Sequence, residues 1–336
     1  MTNAQERVLV SGAGGFIGWH LVRYLKAKGY FVRGADIKEP EFGASDADEF
    51  FLIDLRNAES CEKVCEGIDE IYHLAADMGG MGFISSHHAE ILHNNGLIDI
   101  NMIEAARKAS VSRYLYSSSA CVYPVDLQVS TAVTPLKESD AFPANPEDGY
   151  GWEKLYGELL CQYYATTYGM ITKVVRFHNI FGPYGTWDGG REKAPAAISR
   201  KVALAKLQGQ AEIEIWGDGE QTRSFCYVGD CVEGLHKLMR SDVAGPLNLG
   251  QDRMISINDL VRLVGEIAGF APEVRHVDGP QGVRGRNSDN TLLRVSLGWE
   301  PSVSLEEGMR KTYEWIEPQV REQVERAAGV TGSAGR

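Results

Sequence analysis

The sequence lacks both a long apolar run and an excess of positive charge. No stretch of its 336 residues approaches the roughly 18 consecutive apolar residues of a transmembrane helix. Lysine and arginine number 34 against 46 aspartate and glutamate residues, so the formal net charge is −12. This charge argues against broad electrostatic binding to nucleic acid or to an anionic membrane. The first residues show no signal peptide and lead directly into a predicted strand, so we expect a cytoplasmic protein.

The sequence also lacks the cysteine spacing of a metal site. Its 6 cysteines include no Cys-x-x-Cys pair and no Cys/His spacing typical of zinc. His87, His88 and His93 are clustered, but no cysteine accompanies them and their spacing fits no common ligand set. The sequence therefore predicts no metal. Five of the cysteines are expected to be structural thiols, and only Cys121 is distinguished by its neighbours.

The length and the order of predicted elements indicate a large α/β domain followed by a smaller one. Composition is that of a soluble globular protein, at 43% hydrophobic and 24% charged residues. Strands and helices alternate as far as residue 176, which predicts an open parallel sheet, with later segments returning to it. We expect residues 177–317 to form mainly a smaller α/β cap that binds substrate, and residues 318–336 to form a tail, frayed from about Arg326.

A glycine pattern near the start predicts a dinucleotide site. It lies between a predicted strand over residues 7–11 and a helix that runs to about Lys28, where a glycine loop lets the backbone approach a pyrophosphate at the positive helix end. The residues expected to contact the cofactor here are Gly12, Gly15, Phe16, Ile17 and Gly18.

Two acidic residues at predicted strand ends extend this site. Asp36 ends the second strand, where a carboxylate accepts the adenosine ribose hydroxyls and repels a 2′-phosphate, so NAD is favoured over NADP. Asp54 ends the third predicted strand, over residues 50–55, and is expected to meet the adenine. His73, in a fourth predicted strand over residues 70–76, is more simply a packed histidine than a ligand.

The residues that suggest redox chemistry are Ser119, Tyr150 and Lys154. Ser119 follows an apolar strand, and the carboxyl ends of strands are where ligands bind in open α/β sheets. Tyr150 and Lys154 are four residues apart, which places both side chains on one helix face. Lys154 and a positive nicotinamide ring both favour the phenolate, and Ser119 can direct the substrate hydroxyl proton to it.

Cys121 and Lys193 suggest proton transfer at carbon. Once a sugar hydroxyl is oxidised to a ketone, the adjacent C–H bonds become acidic, and a base and an acid on opposite faces can invert the centre. Cys121 lies two residues beyond Ser119, and a nearby cation would lower its pKa. Lys193, in a glycine-bounded loop, is the expected partner on the other face; its alternative is a solvated surface lysine. Candidate cations for a diphosphate are Lys201, Arg223 and Arg286, and the alternative for each of them is a solvated surface charge.

Together these motifs resemble the extended short-chain dehydrogenase/reductase family. The resemblance rests on the glycine pattern, Asp36, Ser119 and the Tyr150–Lys154 pair. Within that family the sequence is similar to the enzymes that epimerise GDP-mannose at C3 and C5. That likeness extends over about residues 7–315 and rests on residues 77–83, 118–124, 176–179, 189–197, 216–225 and 283–290.

The resemblance implies a Rossmann-type doubly wound parallel sheet, a tightly held NAD and, usually, a homodimer. It implies oxidation at C4 of the mannosyl ring, epimerisation at C5 and C3, and hydride return to give GDP-L-galactose with GDP-L-gulose as a side product. It assigns Tyr150 and Lys154 to redox and Cys121 and Lys193 to proton transfer. The GDP-sugar site would be lined by Gly79, Ser119, Ala120, Cys121, Asn179, Glu192, Lys193, Ala194, Lys201, Gln221, Arg223 and Arg286.

Other functions of the same fold fit these residues less well. Related 4,6-dehydratases carry Asp-Glu where this chain has Ala120 and Cys121, so dehydration lacks its acid and base. Simple 4-epimerases need no such base, which leaves Cys121 and Lys193 unexplained. Two alternatives stay open: an epimerase for another GDP-sugar, and a non-catalytic protein that binds NAD and a nucleotide sugar.

Overall fold

The computed structural model describes residues 5–333, with side chains as far as Ala327. Its strands in chain order are β1 (Arg7–Ser11), β2 (Phe31–Asp36), β3 (Glu49–Leu52), β4 (Glu70–His73), β5 (Arg113–Ser119), β6 (Ile171–Phe177), β7 (Ile180–Phe181), β8 (Glu212–Trp216), β9 (Thr222–Ser224), β10 (Cys226–Tyr227), β11 (Pro246–Leu249), β12 (Met254–Ser256), β13 (Glu273–Val277) and β14 (Gly285–Arg286). Its α-helices are α1 (Phe16–Ala27), α2 (Ala58–Cys65), α3 (Met81–Ile84), α4 (His88–Lys108), α5 (Asp148–Tyr168), α6 (Ala194–Gln208), α7 (Val228–Arg240), α8 (Ile257–Ala268), α9 (Thr291–Leu297) and α10 (Leu305–Ser333).

The main sheet has seven strands in the order β11-β6-β5-β4-β1-β2-β3, and every neighbouring pair is parallel. This confirms the prediction of a doubly wound α/β fold. The chain moves outward from β1 to β3 and then returns to the other side of β1 with β4. Ligands of open sheets bind where the strand order reverses in this way, outside the carboxyl ends of β1 and β4.

Helices cover both faces of this sheet because its strands carry apolar side chains on both sides. In β1, Val8 and Val10 pack on the face covered by α1 and α7, whereas Leu9 packs on the face covered by α2, α4 and α5. Cys61, Cys65, Cys161, Cys226 and Cys231 are buried as free thiols, and Cys121 is only partly buried.

A second apolar cluster lies between α6, α8 and α10 and includes Ile198, Val264 and Met309. These helices pack with the short strands of the C-terminal half, which forms small sheets of two or three strands. Not every later segment belongs to this part. β11 joins the main sheet beside β6, and α7 packs on α1.

Some predicted boundaries differ from the structure. The expectation of a frayed end from about Arg326 is wrong within the described residues, because α10 continues to Ser333. Val320 is buried and Val324 packs beside it on the second cluster, so an apolar stripe at helical spacing holds this segment in place. Residues 334–336 lie outside the described part. None of the helices in the described residues is both long and apolar enough to cross a membrane.

Candidate active site

The glycine loop after β1 forms an open anion site at the start of α1. Gly15 is the N-cap of α1, and among the described residues no side chain caps the first backbone N–H groups of this helix. Gly12 has a φ of +76°, and a Cβ on it would lie 2.8 Å from the backbone nitrogen of Ala75. A Cβ on Gly18 would lie 2.0 Å from the carbonyl oxygen of Gly12. The loop is therefore possible only with glycine, and it offers N–H groups and a helix end that fit a pyrophosphate.

Asp36 lies at this loop, as the sequence predicts. Its carboxylate accepts hydrogen bonds from the backbone N–H groups of Gly14, at 2.9 Å, and Lys38, at 3.2 Å. Burial raises the pKa of Asp36, although these N–H groups act against the rise. Asp54 is placed differently. It follows the end of β3 by two residues, and its exposed carboxylate pairs with Arg56 at 2.6 Å.

The segment after β7 covers the glycine loop. A Cβ on Gly185 would lie 3.0 Å from the Phe16 ring, and Tyr184 stacks on Trp19 with ring centres 4.4 Å apart. His20 hydrogen-bonds the Pro183 carbonyl oxygen at 2.9 Å. The residues around Phe16 and Ile17 are therefore enclosed between α1 and this segment.

The structure brings Ser119, Tyr150 and Lys154 together at the carboxyl end of β5. The Lys154 Nζ lies 5.8 Å from the centre of the Tyr150 ring, and Ser119 is close enough to the Tyr150 phenol to affect its pKa. Burial raises the pKa of Tyr150, while Lys154 and Ser119 act to lower it. Lys154 thus acts in the predicted direction, but in the protein alone burial outweighs it.

A buried polar cluster that sequence analysis missed lies directly behind Lys154. Its members are Tyr116, Asp99, Glu153, His73 and Asn95. Tyr116 lies 3.2 Å from the Lys154 Nζ, 2.7 Å from Asp99 and 3.2 Å from Glu153. His73 hydrogen-bonds Asp99 at 3.0 Å, so it is a packed histidine, as expected. Asn95 donates to Glu153 at 3.0 Å.

The pKa values of the two carboxyl groups in this cluster are shifted in opposite directions. Burial opposes the ionisation of Asp99, but Lys154 and His73 outweigh it and hold the pKa of Asp99 below its usual range. Burial raises the pKa of Glu153, and Asp99 adds to the rise. Burial also opposes the charge on Lys154, yet Glu153 and Asp99 raise its pKa. Glu153 lies inside the Tyr-x-x-x-Lys motif and could have been found there; Asp99 gives no local signal.

Cys121 lies in a short turn after β5 and is held by polar partners. Its N–H donates to the Ser119 hydroxyl at 3.2 Å, and its carbonyl oxygen accepts from the Glu147 N–H at 3.0 Å. Burial raises the pKa of the Cys121 thiol, although Arg286 acts to lower it. The predicted neighbouring cation is therefore present, but its effect is smaller than that of burial.

Lys193 is the N-cap residue of α6, and its side chain makes no hydrogen bond to any residue in the range 5–333. Burial lowers its pKa, whereas the Cys121 and Cys231 thiols act to raise it. The loop of residues 77–83 supports the backbone here. The Gly80 N–H donates to the Arg191 carbonyl oxygen at 3.0 Å. A Cβ on Gly80 would lie 2.5 Å from the carbonyl oxygen of Glu192.

Several of the remaining predicted substrate residues are already hydrogen-bonded to other parts of the protein. Asn179 donates to the Ser224 carbonyl oxygen at 2.9 Å, and Lys201 to that of Glu214 at 2.6 Å. Arg223 donates to the Val283 carbonyl oxygen at 2.7 Å, and burial lowers its pKa to about 10. Gln221 is buried beside β9, Ala194 begins α6, and Gly79 adjoins Phe83.

Arg286 lies against Cys121 and not at a free cationic surface. It is 6% exposed, and its guanidinium contacts Cys121, Glu147 and Gln128. Glu147 and Gln128 were not found by sequence analysis. Their contacts join residues more than a hundred positions apart, for which no sequence spacing gives a signal.

The fold and this arrangement agree with the comparison to known families. The sequence model of the NAD dependent epimerase/dehydratase family matches residues 8–250. The chain belongs to that family. The open end of α1, the glycine-only loop and Asp36 fit the cofactor that names the family, NAD, whose nicotinamide takes up and returns a hydride.

Several members of the NAD dependent epimerase/dehydratase family are similar over nearly the whole chain. The GDP-mannose 3,5-epimerase of Arabidopsis thaliana is 48% identical, over 97% of this chain and 86% of its own. A GDP-mannose 3,5-epimerase 1 of Oryza sativa subsp. japonica is also 48% identical, over 97% and 85%. The UDP-glucuronic acid decarboxylase 1 of Xenopus tropicalis is 31% identical, over 95% and 74%.

Solved structures of family members share the fold. A UDP-glucose 4-epimerase of Thermotoga maritima with UDP-glucose is 27% identical, has a TM-score of 0.83, and is covered over 99% of its chain and 94% of this one. A UDP-glucuronic acid 4-epimerase of Bacillus cereus with UDP-glucuronic acid and NAD is 25% identical and has a TM-score of 0.79. The match covers 99% of its chain and 93% of this one. A nucleotide-sugar site on a Rossmann-type sheet is thus the common feature.

Proposed function

We propose that this chain epimerises GDP-D-mannose at C3 and C5 to give GDP-L-galactose, with GDP-L-gulose as a second product. The observation that carries the proposal is the 48% identity to GDP-mannose 3,5-epimerases over 97% of the chain. The site supports it because a thiol and an amine accompany the Ser119, Tyr150 and Lys154 group. A 4-epimerase needs no such pair.

The redox step uses the end of β5 and the start of α5. Ser119 hydrogen-bonds the C4 hydroxyl of the sugar, and the Tyr150 phenolate takes its proton as the hydride leaves C4. Lys154 stabilises the phenolate electrostatically, and the cluster of Asp99, Glu153 and Tyr116 keeps the ammonium protonated and in place. NAD would be held by the glycine loop before α1 and by Asp36, and it would supply the acceptor and donor of the hydride for this step.

The proton-transfer step uses Cys121 and Lys193. The C4 ketone makes the C–H bonds at C3 and C5 acidic, so one group can remove a proton and the other can return one on the opposite face. Burial raises the pKa of the thiol and lowers that of the amine, which brings their proton affinities closer together. Efficient transfer in either direction needs such a match.

The substrate would lie between the two parts of the chain. We assign residues 1–176 to the NAD-binding domain, with α7 and β11 added to it, and the rest of residues 177–317 mainly to the cap. The GDP-sugar would contact the cap and the strand ends through Gly79, Ser119, Ala120, Cys121, Asn179, Glu192, Lys193, Ala194, Lys201, Gln221, Arg223 and Arg286.

We also propose a cytoplasmic homodimer. α4 and α5 pack side by side on one face of the sheet, and their outer surface exposes large apolar residues, namely Leu92, Leu97, Ile100, Trp152, Tyr156 and Tyr163. Such a surface suits a two-fold contact between copies. The free cysteines fit a reducing compartment. Light scattering would give the mass, and a monomer would contradict the dimer.

The test is incubation with GDP-mannose in deuterated water, followed by NMR of the recovered sugar. Deuterium at C3 and C5 together with galactose- and gulose-configured products is expected. The Cys121→Ala variant should retain NAD but lose exchange, and it serves as the matched control. Unchanged mannose with no deuterium would refute the proposed substrate; parallel incubations with other GDP-sugars would then distinguish another epimerase from a silent binding protein.

A further inference from the structure

Arg286 is held in one orientation by three partners around its guanidinium group. Nε donates to the Gln128 Oε1 at 2.6 Å, Nη2 to the Glu147 Oε2 at 2.6 Å, and Nη1 to the Cys121 sulfur at 3.4 Å. A planar guanidinium with all three nitrogens engaged cannot rotate without breaking one of these bonds. The hydrogen bonds to Gln128 and Glu147 therefore fix the position of the guanidinium against the sulfur.

The two supporting side chains are themselves fixed. Gln128 is 1% exposed and donates to the carbonyl oxygens of Tyr123 and Pro124, both at 3.2 Å. Glu147 directly precedes α5, and its N–H donates to the Cys121 carbonyl oxygen. A Cβ on Gly151 would lie 2.3 Å from that carbonyl oxygen, so only glycine there lets α5 come this close. Glu147 thus contacts both the backbone of Cys121 and the cation on its sulfur.

We propose that Glu147 is a positioning residue that holds the Arg286 guanidinium against the Cys121 sulfur and balances its charge there. Arg286 favours the thiolate and Glu147 favours the thiol, so the pair keeps Cys121 able both to give and to take a proton. This role rests on the proposed function only in that Cys121 is taken as a proton-transfer group. The charge effect itself is a property of the protein without substrate.

Other charged and polar groups also face the thiol, and they do not share this arrangement. Arg223 on β9, Lys193 before α6 and Tyr150 on α5 interact with it electrostatically. Ser119 accepts from its backbone N–H. Within residues 5–333, Arg286 is the charged side chain that hydrogen-bonds the sulfur, and Arg286 and Glu147 are the charged groups with the largest effects on the thiol pKa.

The test is the pH titration of the Cys121 thiol in the whole protein. The readouts are thiolate absorbance at 240 nm, taken as the difference from Cys121→Ala, and the rate of iodoacetamide labelling of the Cys121 peptide. Glu147→Gln keeps a hydrogen-bond acceptor for Arg286 but removes the charge, so it should lower the thiol pKa by about one unit, a roughly tenfold rise in thiolate below that pKa. Arg286→Gln should raise the pKa of the Cys121 thiol.

Asp148→Asn is the matched control, because it makes the same change of charge one residue away on an exposed side chain and asparagine tolerates its positive φ. It should leave the thiol titration unchanged. Since Arg286→Gln leaves a buried carboxylate unpaired, the double variant Glu147→Gln/Arg286→Gln is included, and its thiol pKa should lie between those of the single variants. An unchanged or raised thiol pKa in Glu147→Gln, or an equal shift in Asp148→Asn, would overturn the proposal.

The pH dependence of carbon–hydrogen exchange separates this role from a structural one. In Glu147→Gln the pH–rate profile should move in the same direction as the thiol titration, whereas a structural defect would lower the rate at every pH without moving the profile. If wild-type protein exchanges no deuterium, the proposed function fails, and the thiol titration still decides the role of Glu147.

Discussion

Removal of the carboxylate of Glu158 should strongly destabilise the protein. Arg176 on β6 is 2% exposed and forms a bidentate ion pair with Glu158 on α5, at 2.8 and 2.7 Å. Ser118 also donates to Glu158, at 2.5 Å. Glu158→Ala leaves a buried guanidinium without its counter-charge, which typically costs about 3–5 kcal/mol. The hydrogen bonds of Arg176 to Tyr123 and to the Glu138 carbonyl oxygen cannot replace that charge.

Urea unfolding followed by tryptophan fluorescence measures this loss. With a slope of about 3 kcal/mol per molar urea, a loss of about 4 kcal/mol lowers the midpoint by about 1.3 M. The variant Arg176→Met/Glu158→Leu removes both charges and fills similar volume, so it should recover most of the stability. A loss below about 1 kcal/mol in Glu158→Ala, or a double variant as unstable as the single one, would refute the reasoning.

Three further predictions concern the redox site, the cofactor and pH. Tyr150→Phe should lower turnover about 10²–10⁴-fold with NAD still bound, as measured by NMR of the products, and near-normal turnover would mean that another base acts. Asp36→Ala should weaken NAD binding about tenfold or more, because a charge-assisted hydrogen bond is lost; unchanged occupancy in the released-nucleotide assay would contradict the ribose contact. Burial lowers the pKa of His178 to about 3, so the unfolded state binds the extra proton as pH falls below about 6.5. The free energy of unfolding should therefore drop by about 2 kcal/mol between pH 7 and 5 from this group alone, and a His178→Gln variant that keeps the same slope would contradict the assignment.

The fold could be predicted where local patterns are strong. The bounds of β1 agree with the sequence prediction to the residue, because a short apolar run followed by a glycine loop defines this strand. The end of the chain was missed since small residues after Arg326 suggested fraying, whereas Val320 and Val324 bind α10 to its neighbours through contacts that are distant in sequence.

In the candidate site, too, local patterns predict some residues, whereas contacts between distant parts of the sequence determine the others. Ser119, Tyr150 and Lys154 could be predicted together, because one strand end and one helical spacing bring them together. Arg286 was expected at a diphosphate, but its neighbours depend on how β14 returns beside the turn at Cys121, and no local pattern encodes that approach. Asp99 was missed for a similar reason: it reaches Tyr116 only because α4 packs across β5.

The contact between Gly80 and the loop before Lys193 bears on how substrate range can change in this family. The backbones of residues 77–83 and 190–193 are hydrogen-bonded and fit together only because Gly80 has no Cβ. Arg191 also forms an ion pair with Asp77 at 3.2 Å, which adds an electrostatic contact between the two loops. A change in one loop therefore requires a matching change in the other. Transplanting either loop alone into a UDP-sugar relative should displace Lys193, whereas exchanging both should keep its position.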